Sequence, residues 1–495
     1  MKNLLKSQYI DVFIICFAII GMIFSHAVMS FSMVFMAVRF LFMDKSALKN
    51  YSKMSLFAVF SFFVLILLGM IWSDGGKEAW KQLEKSLPFL IVPLYILSLP
   101  SLSKKNIAIC ANIYILSLIV ATGIGLFNLI TLDNPDMRTL MPFCSHIRFA
   151  LHLTLVSSFI VIYCFQRKRY SLLFIALCFE LYMLITSSLT GVVISMFIFL
   201  FVLPLYFLSQ KRNKKLLYGV IVFDCLVVIG MVSLVSYCAK DYFVPKQGEE
   251  IENLVIENGY YIYHNVDYGQ MKKGVKKYLK VEEDAICKSK EGEFAYVDIA
   301  IRYLNSKGYE KNLKAWERLS QKDLENIKQG IPNYVYAEKI PLKERLYSTF
   351  FEIEAYKKEG KVKGSSLIQK LELWRNSVSI IKENILIGVG TGDAHVELKK
   401  ELEKNNSELK DTNMRTHNQY LSIVFSYGLI GFAIWLFFLF YPAIKENLIA
   451  NPYYIVFLLI MLISFLSEDT LDNQAGIMMF CCWNYFFTSK QLQQQ

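Results

Sequence analysis

The sequence predicts a mainly α fold: a polytopic membrane protein of about twelve transmembrane helices with one large extracytoplasmic mixed α/β insertion. Three observations lead there. Of 495 residues, 55% are hydrophobic and only 19% charged. The charge is gathered in one place: residues 239–416 hold 31 Lys/Arg and 29 Asp/Glu, whereas the other 317 residues hold 22 and 13. The rest of the chain falls into apolar runs near the length that crosses ~30 Å of hydrocarbon. A soluble enzyme, a disordered chain and a disulfide scaffold are all excluded by this pattern.

The runs occupy 9–27, 29–44, 54–72, 86–100, 106–131, 147–166, 170–187, 189–209, 216–238, 418–443, 452–466 and 473–488. The first has the look of a signal peptide, with Lys2 and Lys6, an apolar stretch and then Ser25-His26-Ala27. A second apolar run follows at once, so the first reads as a retained anchor. Basic residues stay on the cytoplasmic side of membranes. With the N-terminus inside, 17 of the 22 Lys/Arg outside the insertion fall on inner segments, against five (Lys77, Lys81, Lys85, Arg138 and Arg148) on outer ones. Both termini are then cytoplasmic. The domains read as 1–238 with nine spans, 239–416 outside the membrane, and 417–495 with three spans and a short tail. The net charge of +11 follows from topology, and no nucleic-acid partner is needed to explain it.

Within the insertion, residues 251–263 alternate enough for strands, 294–328 read as two helices broken at Ser306-Lys307-Gly308, and 345–384 is helical with an interruption around Gly360–Gly364. Of ten Cys, only Cys144, Cys238 and Cys287 lie outside apolar runs or at their edges. One pairing among them is open, and spacing does not decide it.

Four polar constellations remain, each with a plain structural alternative. Arg415-Thr416-His417-Asn418 enters the tenth span, followed by Gly428 and Gly431 on one helix face; a polar helix entry with packing glycines accounts for it equally well. Trp374-Arg375 precedes Gly388, Gly390, Gly392, Asp393 and His395, a loop whose N–H groups can face an anion or simply turn the chain. His146 and Arg148 stand at the outer mouth of the sixth span, with Arg138 in the loop before them. An Arg at that depth is a site candidate or snorkels to the interface. Finally, Glu468, Asp469 and Asp472 form an acidic loop that either binds a cation or holds nearby arginines; with no His and no Asp-x-Asp pair, no metal site is expected. Arginines suit phosphate through bidentate charge-assisted hydrogen bonds, and a base beside them can take an acceptor's proton.

The spacing His417, Asn418, nine residues, Gly428, Gly431 resembles the signature of the O-antigen ligase and polymerase superfamily of bacterial membrane glycosyltransferases, ligase branch. The Leu371–Arg375 tract and the alternating glycines 388–392 are similar to the segment that precedes that histidine. The resemblance implies a metal-independent, cofactor-free glycosyltransferase in the bacterial inner membrane with a periplasmic loop. It would move a glycan from undecaprenyl pyrophosphate to a hydroxyl acceptor, lipid A–core oligosaccharide for the ligase proper. By position, His417 is then the catalytic or acceptor-orienting residue. Arg148 and Arg415 grip the pyrophosphate, joined by Arg375. Asn418, Arg138, His146, Asp393 and Glu468 are further substrate-binding candidates on the same face.

Two departures bear on this. A Ser-Arg pair common in the family is replaced by Thr186-Ser-Ser-Leu-Thr190-Gly191, and residues 240–340 exceed the expected loop. Protein O-oligosaccharyltransferase and O-antigen polymerase are alternatives within the superfamily. A lipid-linked glycan transporter is the rival from another class, disfavoured because the polar groups gather on one face and the chain has no matched halves.

Overall fold

The computed structural model describes residues 8–489 apart from 133–136, 187, 205, 207–213, 247–250, 252, 282–294, 339–340 and 413. Each apolar run of the sequence is built around a helix. In chain order these and the polar helices between them are α1 (Gln8–Phe24), α2 (His26–Phe42), α3 (Lys53–Gly69), α4 (Gly76–Ser86), α5 (Pro88–Leu97), α6 (Lys104–Thr131), α7 (His146–Arg167), α8 (Leu173–Ile185), α9 (Leu189–Phe197) and α10 (Lys214–Phe243). They continue as α11 (Tyr268–Gly274), α12 (Tyr296–Ser306), α13 (Gln321–Lys328), α14 (Pro341–Glu359), α15 (Ser366–Glu383), α16 (Ala394–Lys404), α17 (Gln419–Lys445), α18 (Pro452–Ser464) and α19 (Gln474–Thr488). By length and composition four of the described helices can cross a membrane: α6, α7, α17 and the 221–243 part of α10. The other apolar helices are shorter.

Polar residues mark where these helices begin. Ser52, Ser103, Asn418, Asn451 and Asn473 each accept a backbone N–H of the first turn of α3, α6, α17, α18 and α19. Such caps satisfy donors that would otherwise be lost in an apolar surrounding. Ser25 does the same for α2 and so divides the first two runs.

Two compact units emerge: residues 1–217 with 372–495, and residues 218–371. In the first, α3 packs on α17, α5 on α19, α1 on α2 and α6, and α7 on α8, α9 and α18. Its core is aromatic and aliphatic, with Phe62, Phe89, Trp435, Phe438 and Phe480 fully or almost fully buried. A buried bidentate pair, Arg39 to Asp11 at 2.8 and 3.0 Å, joins α1 to α2. Arg39 is one of the basic residues on the inner side of the expected topology; its charge is neutralised inside the helix pair. Residues 372–416, part of the hydrophilic stretch in sequence, belong to this first unit.

Among its described residues the second unit is mainly helical, and the strand content of the mixed α/β insertion that the sequence predicts is limited there to one short hairpin. Among its described residues the strands are β1 (Ile256–Glu257) and β2 (Tyr260–Tyr261), an antiparallel hairpin pairing Ile256 with Tyr261 and Glu257 with Tyr260. Asn258 and Gly259 turn it at φ 56° and 81°, the two-residue loop such sequences favour. The alternation in 251–263 yields a short ribbon, and its Glu257 is buried against Arg302 of α12 at 2.8 Å. Both sequence-expected breaks appear: α12 ends at Ser306 with Gly308 at φ 71°, and α14 and α15 flank Gly360–Gly364. Cys144 and Cys238 are free thiols, and Cys287 lies outside the described residues.

Candidate functional site

The polar entry to α17 is held by one buried carboxylate. Asp469, from the loop between α18 and α19, accepts the N–H groups of His417 (2.8 Å) and Asn418 (3.0 Å) and the hydroxyls of Thr416 (2.9 Å) and Ser422 (2.6 Å). A buried carboxylate is tolerated when donors surround it in this way. His417 consequently adopts φ 50°, a left-handed conformation that non-glycine residues seldom occupy. Asn418 is the helix cap. Gln419 completes the lock, taking the Leu471 N–H at 2.6 Å and donating to Asp472 at 3.1 Å.

The acidic loop thus divides its three carboxylates among three tasks. Asp469 fixes the helix entry. Asp472 pairs with Arg415 at 3.3 Å, and burial, reinforced by Asp469, raises its pKa above the ordinary carboxylate value. Glu468 lies 3.8 Å from His417 Nδ1 and is also an electrostatic neighbour of Arg148. The imidazole of His417 remains 37% exposed. Arg148, in the first turn of α7, has a buried Nε with no hydrogen-bond partner among the described residues. His146 lies beside it and, with Tyr182, Thr186 and Ser188, lines a small pocket. Glu468 therefore stands against His417 and within the electrostatic reach of Arg148.

Arg415 looks elsewhere. Its Nε donates to His395 Nε2 at 3.1 Å and its Nη1 to the Asp472 carbonyl at 3.3 Å. An imidazole nitrogen that accepts this bond carries no proton, so His395 is neutral with its proton on Nδ1. Burial, and then the Arg415 charge, lower the His395 pKa in agreement. The two side chains line an open cleft, together with Glu78, Gln82 and Lys85 of α4, Asp472 and Thr416, with the buried Phe62, Phe425 and Tyr427 packed behind them.

The alternating glycines do not offer their N–H groups to an anion. Gly388 donates to Asn384, Val389 to the Phe425 carbonyl, Gly390 to Ser426, Thr391 to Gly69 and Gly392 to the Ser73 hydroxyl. The loop is a seam. It meets α17 at Gly428, where the helix breaks (φ 63°, ψ −168°), and the freed N–H groups of Leu429 and Ile430 bond to the carbonyls of Ile385 and Leu386. A Cβ on Gly428 would stand 2.2 Å from the Leu386 carbonyl, and one on Gly388 2.4 Å from the Tyr427 nitrogen. Gly428 is thus a helix break, whereas its spacing suggests a packing contact; Gly431 brings α17 against Leu65 of α3.

Asp393 is likewise engaged within the fold: its two oxygens accept the N–H groups of Asp74 (2.8 Å) and Gly75 (2.6 Å). Trp374 donates to the Thr416 carbonyl at 2.7 Å, but its neighbour Arg375 is exposed and lines neither pocket. The side chain of Arg138 lies outside the described residues. Sequence reasoning misses Asp469 as organiser and the α4 face altogether. Glu78, Gln82 and Lys85 sit at i, i+4 and i+7 on one helical stripe, a signal present in the sequence but overshadowed by the apolar runs.

A family model described as O-antigen ligase matches residues 172–436. No curated protein matches the chain.

Proposed function

The chain belongs to the O-antigen ligase family, and from that premise we propose that it transfers a glycan from undecaprenyl pyrophosphate to a hydroxyl of lipid A–core oligosaccharide at the periplasmic face of the bacterial inner membrane. In its coarser form the reading follows from the family alone: this is a membrane protein of a glycosyltransferase superfamily whose substrates are a lipid-linked glycan and an acceptor. The observation that carries the finer reading is Glu468 standing against His417 and within the electrostatic reach of Arg148, at the motif that marks the family.

In this reading the acceptor oxygen attacks the anomeric carbon of the lipid-linked sugar. Its proton passes to His417, the bond from that carbon to the pyrophosphate oxygen breaks, and undecaprenyl pyrophosphate leaves as the anion. Glu468 steadies the protonated imidazole. Arg148, a cation whose Nε lacks a partner among the described residues at the mouth of α7, meets the leaving pyrophosphate. Arg415 stands on the cleft side, one residue beyond Thr416. Asn418 and Asp393 hold the scaffold, His146 borders the Arg148 end, and Arg375, exposed on α15, takes at most an outlying sugar. Charge is balanced by arginine and no metal is required, so EDTA leaves the transfer rate unchanged; a rate lost to EDTA and restored by Mg²⁺ overturns that part.

The test is deletion of the gene with surface glycans and lipid-linked glycans separated side by side. We expect loss of the whole lipopolysaccharide ladder and accumulation of full-length glycan on undecaprenyl pyrophosphate. The His417→Ala variant, expressed at the wild-type level, should reproduce this. A ladder reduced to a single repeat would make the protein a polymerase. An intact ladder would overturn both readings and direct attention to glycoproteins or transport.

A further inference from the structure

The cleft beside Thr416 is built of groups that the transfer chemistry does not use. Its charges can be counted. Glu78 is paired with Lys81 of its own helix at 2.6 Å, and Asp472 with Arg415 at 3.3 Å. His395 is neutral because it accepts from Arg415. Lys85 is left: half-buried, lining the cleft, in the field of Arg415, and with no direct ion pair or hydrogen bond among the described residues. Arg415 itself keeps Nη2 without a partner among the described residues. Lys85 and Arg415 face one space in which Glu78 and Asp472 act on the lysine only at a distance, so its ammonium and the Arg415 Nη2 keep donors free for an anion. Burial and the Arg415 charge also lower the Lys85 pKa, the strain that a bound anion would relieve.

The remainder of the lining suits a sugar. Gln82, Glu78 and the His395 Nδ1–H offer donors and acceptors for hydroxyl groups. Location selects the substrate. Thr416 lines the cleft, and the next residue, His417, faces Glu468. A sugar seated here lies against the residue next to His417 in the chain.

We propose that this cleft is the acceptor subsite and that it takes an anionic sugar, phosphorylated or carboxylated, whose charge lies between Lys85 and Arg415. The choice of ligand rests on the glycan-transfer reading. Purified full-length protein in lipid nanodiscs, titrated with glucose 6-phosphate, glucuronate and glucose by saturation-transfer NMR, provides the test. At least one of the two anionic sugars should bind ten-fold or more tightly than glucose. Lys85→Gln should remove that preference, Lys85→Arg should keep it, and His417→Ala should bind all three as the wild type does. Equal binding of charged and neutral sugars, or an unchanged preference in Lys85→Gln, overturns the proposal. Inorganic phosphate competing as strongly as glucose 6-phosphate would overturn the sugar part. Because binding is read without turnover, the two failures separate: an intact lipopolysaccharide ladder in the deletion strain defeats the transfer reading and leaves the Lys85 difference standing.

Discussion

At the scale of single residues, the site is arranged by a carboxylate whose oxygens are taken up by the fold itself. Asp469 gathers four donors from residues 416–422, two of them consecutive backbone N–H groups, and so holds His417 in a backbone conformation it would otherwise avoid. Asp469→Asn replaces one accepting oxygen by a donating NH₂, which faces donors. Hydrogen bonds to a charged group are worth about 1.5–3 kcal/mol each, so transfer at saturating donor should fall about ten- to a hundred-fold. Combined with His417→Ala, Asp469→Asn should cost nothing more, since it acts through that side chain; additive losses would mark a general structural role. His395 carries a pH prediction. Its pKa is lowered by burial and Arg415, so between the ordinary value of 6.5 and the lowered one the unfolded chain holds more protons than the folded one. Its contribution to stability is complete above about pH 6.5 and is lost as the pH falls through that window. His395→Gln, which can still accept from Arg415, should flatten the decline in melting temperature between pH 7 and pH 5; an identical decline in both proteins would refute this.

At the scale of elements, the decisive feature is the interruption of α17 at Gly428. A broken helix in an apolar surrounding leaves backbone groups unsatisfied, and the segment 385–391 supplies the missing partners. Ile385, Leu386 and Ile387 are 46%, 60% and 53% exposed beside Leu429 and Ile430, also exposed, which is the surface that lipid contact calls for. Gly428→Ala must place a methyl group where the Leu386 carbonyl stands, at a φ that costs about 1–3 kcal/mol for a side-chain-bearing residue. The variant should melt several degrees below wild type in detergent and lose transfer, whereas Gly123→Ala, with open space around it, should do neither. Equal melting temperatures for Gly428→Ala and wild type would show that the break is unimportant.

At the scale of the whole molecule, we propose twelve spans with both termini cytoplasmic and residues 239–416 on the outer side. Single cysteines placed at Lys280 and Lys214 in a cysteine-free protein distinguish the faces. A membrane-impermeant maleimide applied to intact spheroplasts should label the first and not the second, and the reverse labelling would invert the topology. Much at this scale is legible in the sequence alone. The cost of placing a charge in hydrocarbon acts on each residue separately, so the segregation of charge into 239–416, the helical runs, the polar caps and the breaks at Gly308 and Gly360–Gly364 are all written in short windows of the chain. His417, Arg148 and Glu468 are legible as candidates because each is a polar group at the edge of an apolar run. Their gathering is not. That Arg415 turns to His395 while His417 turns to Glu468, that Asp469 serves residues some fifty positions earlier, and that the glycine loop repairs α17 in place of cradling a phosphate all depend on contacts between distant segments. Periodicity and composition report which face of an element is apolar. They carry no record of which distant donor meets which acceptor, and that pairing, set by helix packing, places one histidine against Glu468 and another in the cleft beside Lys85.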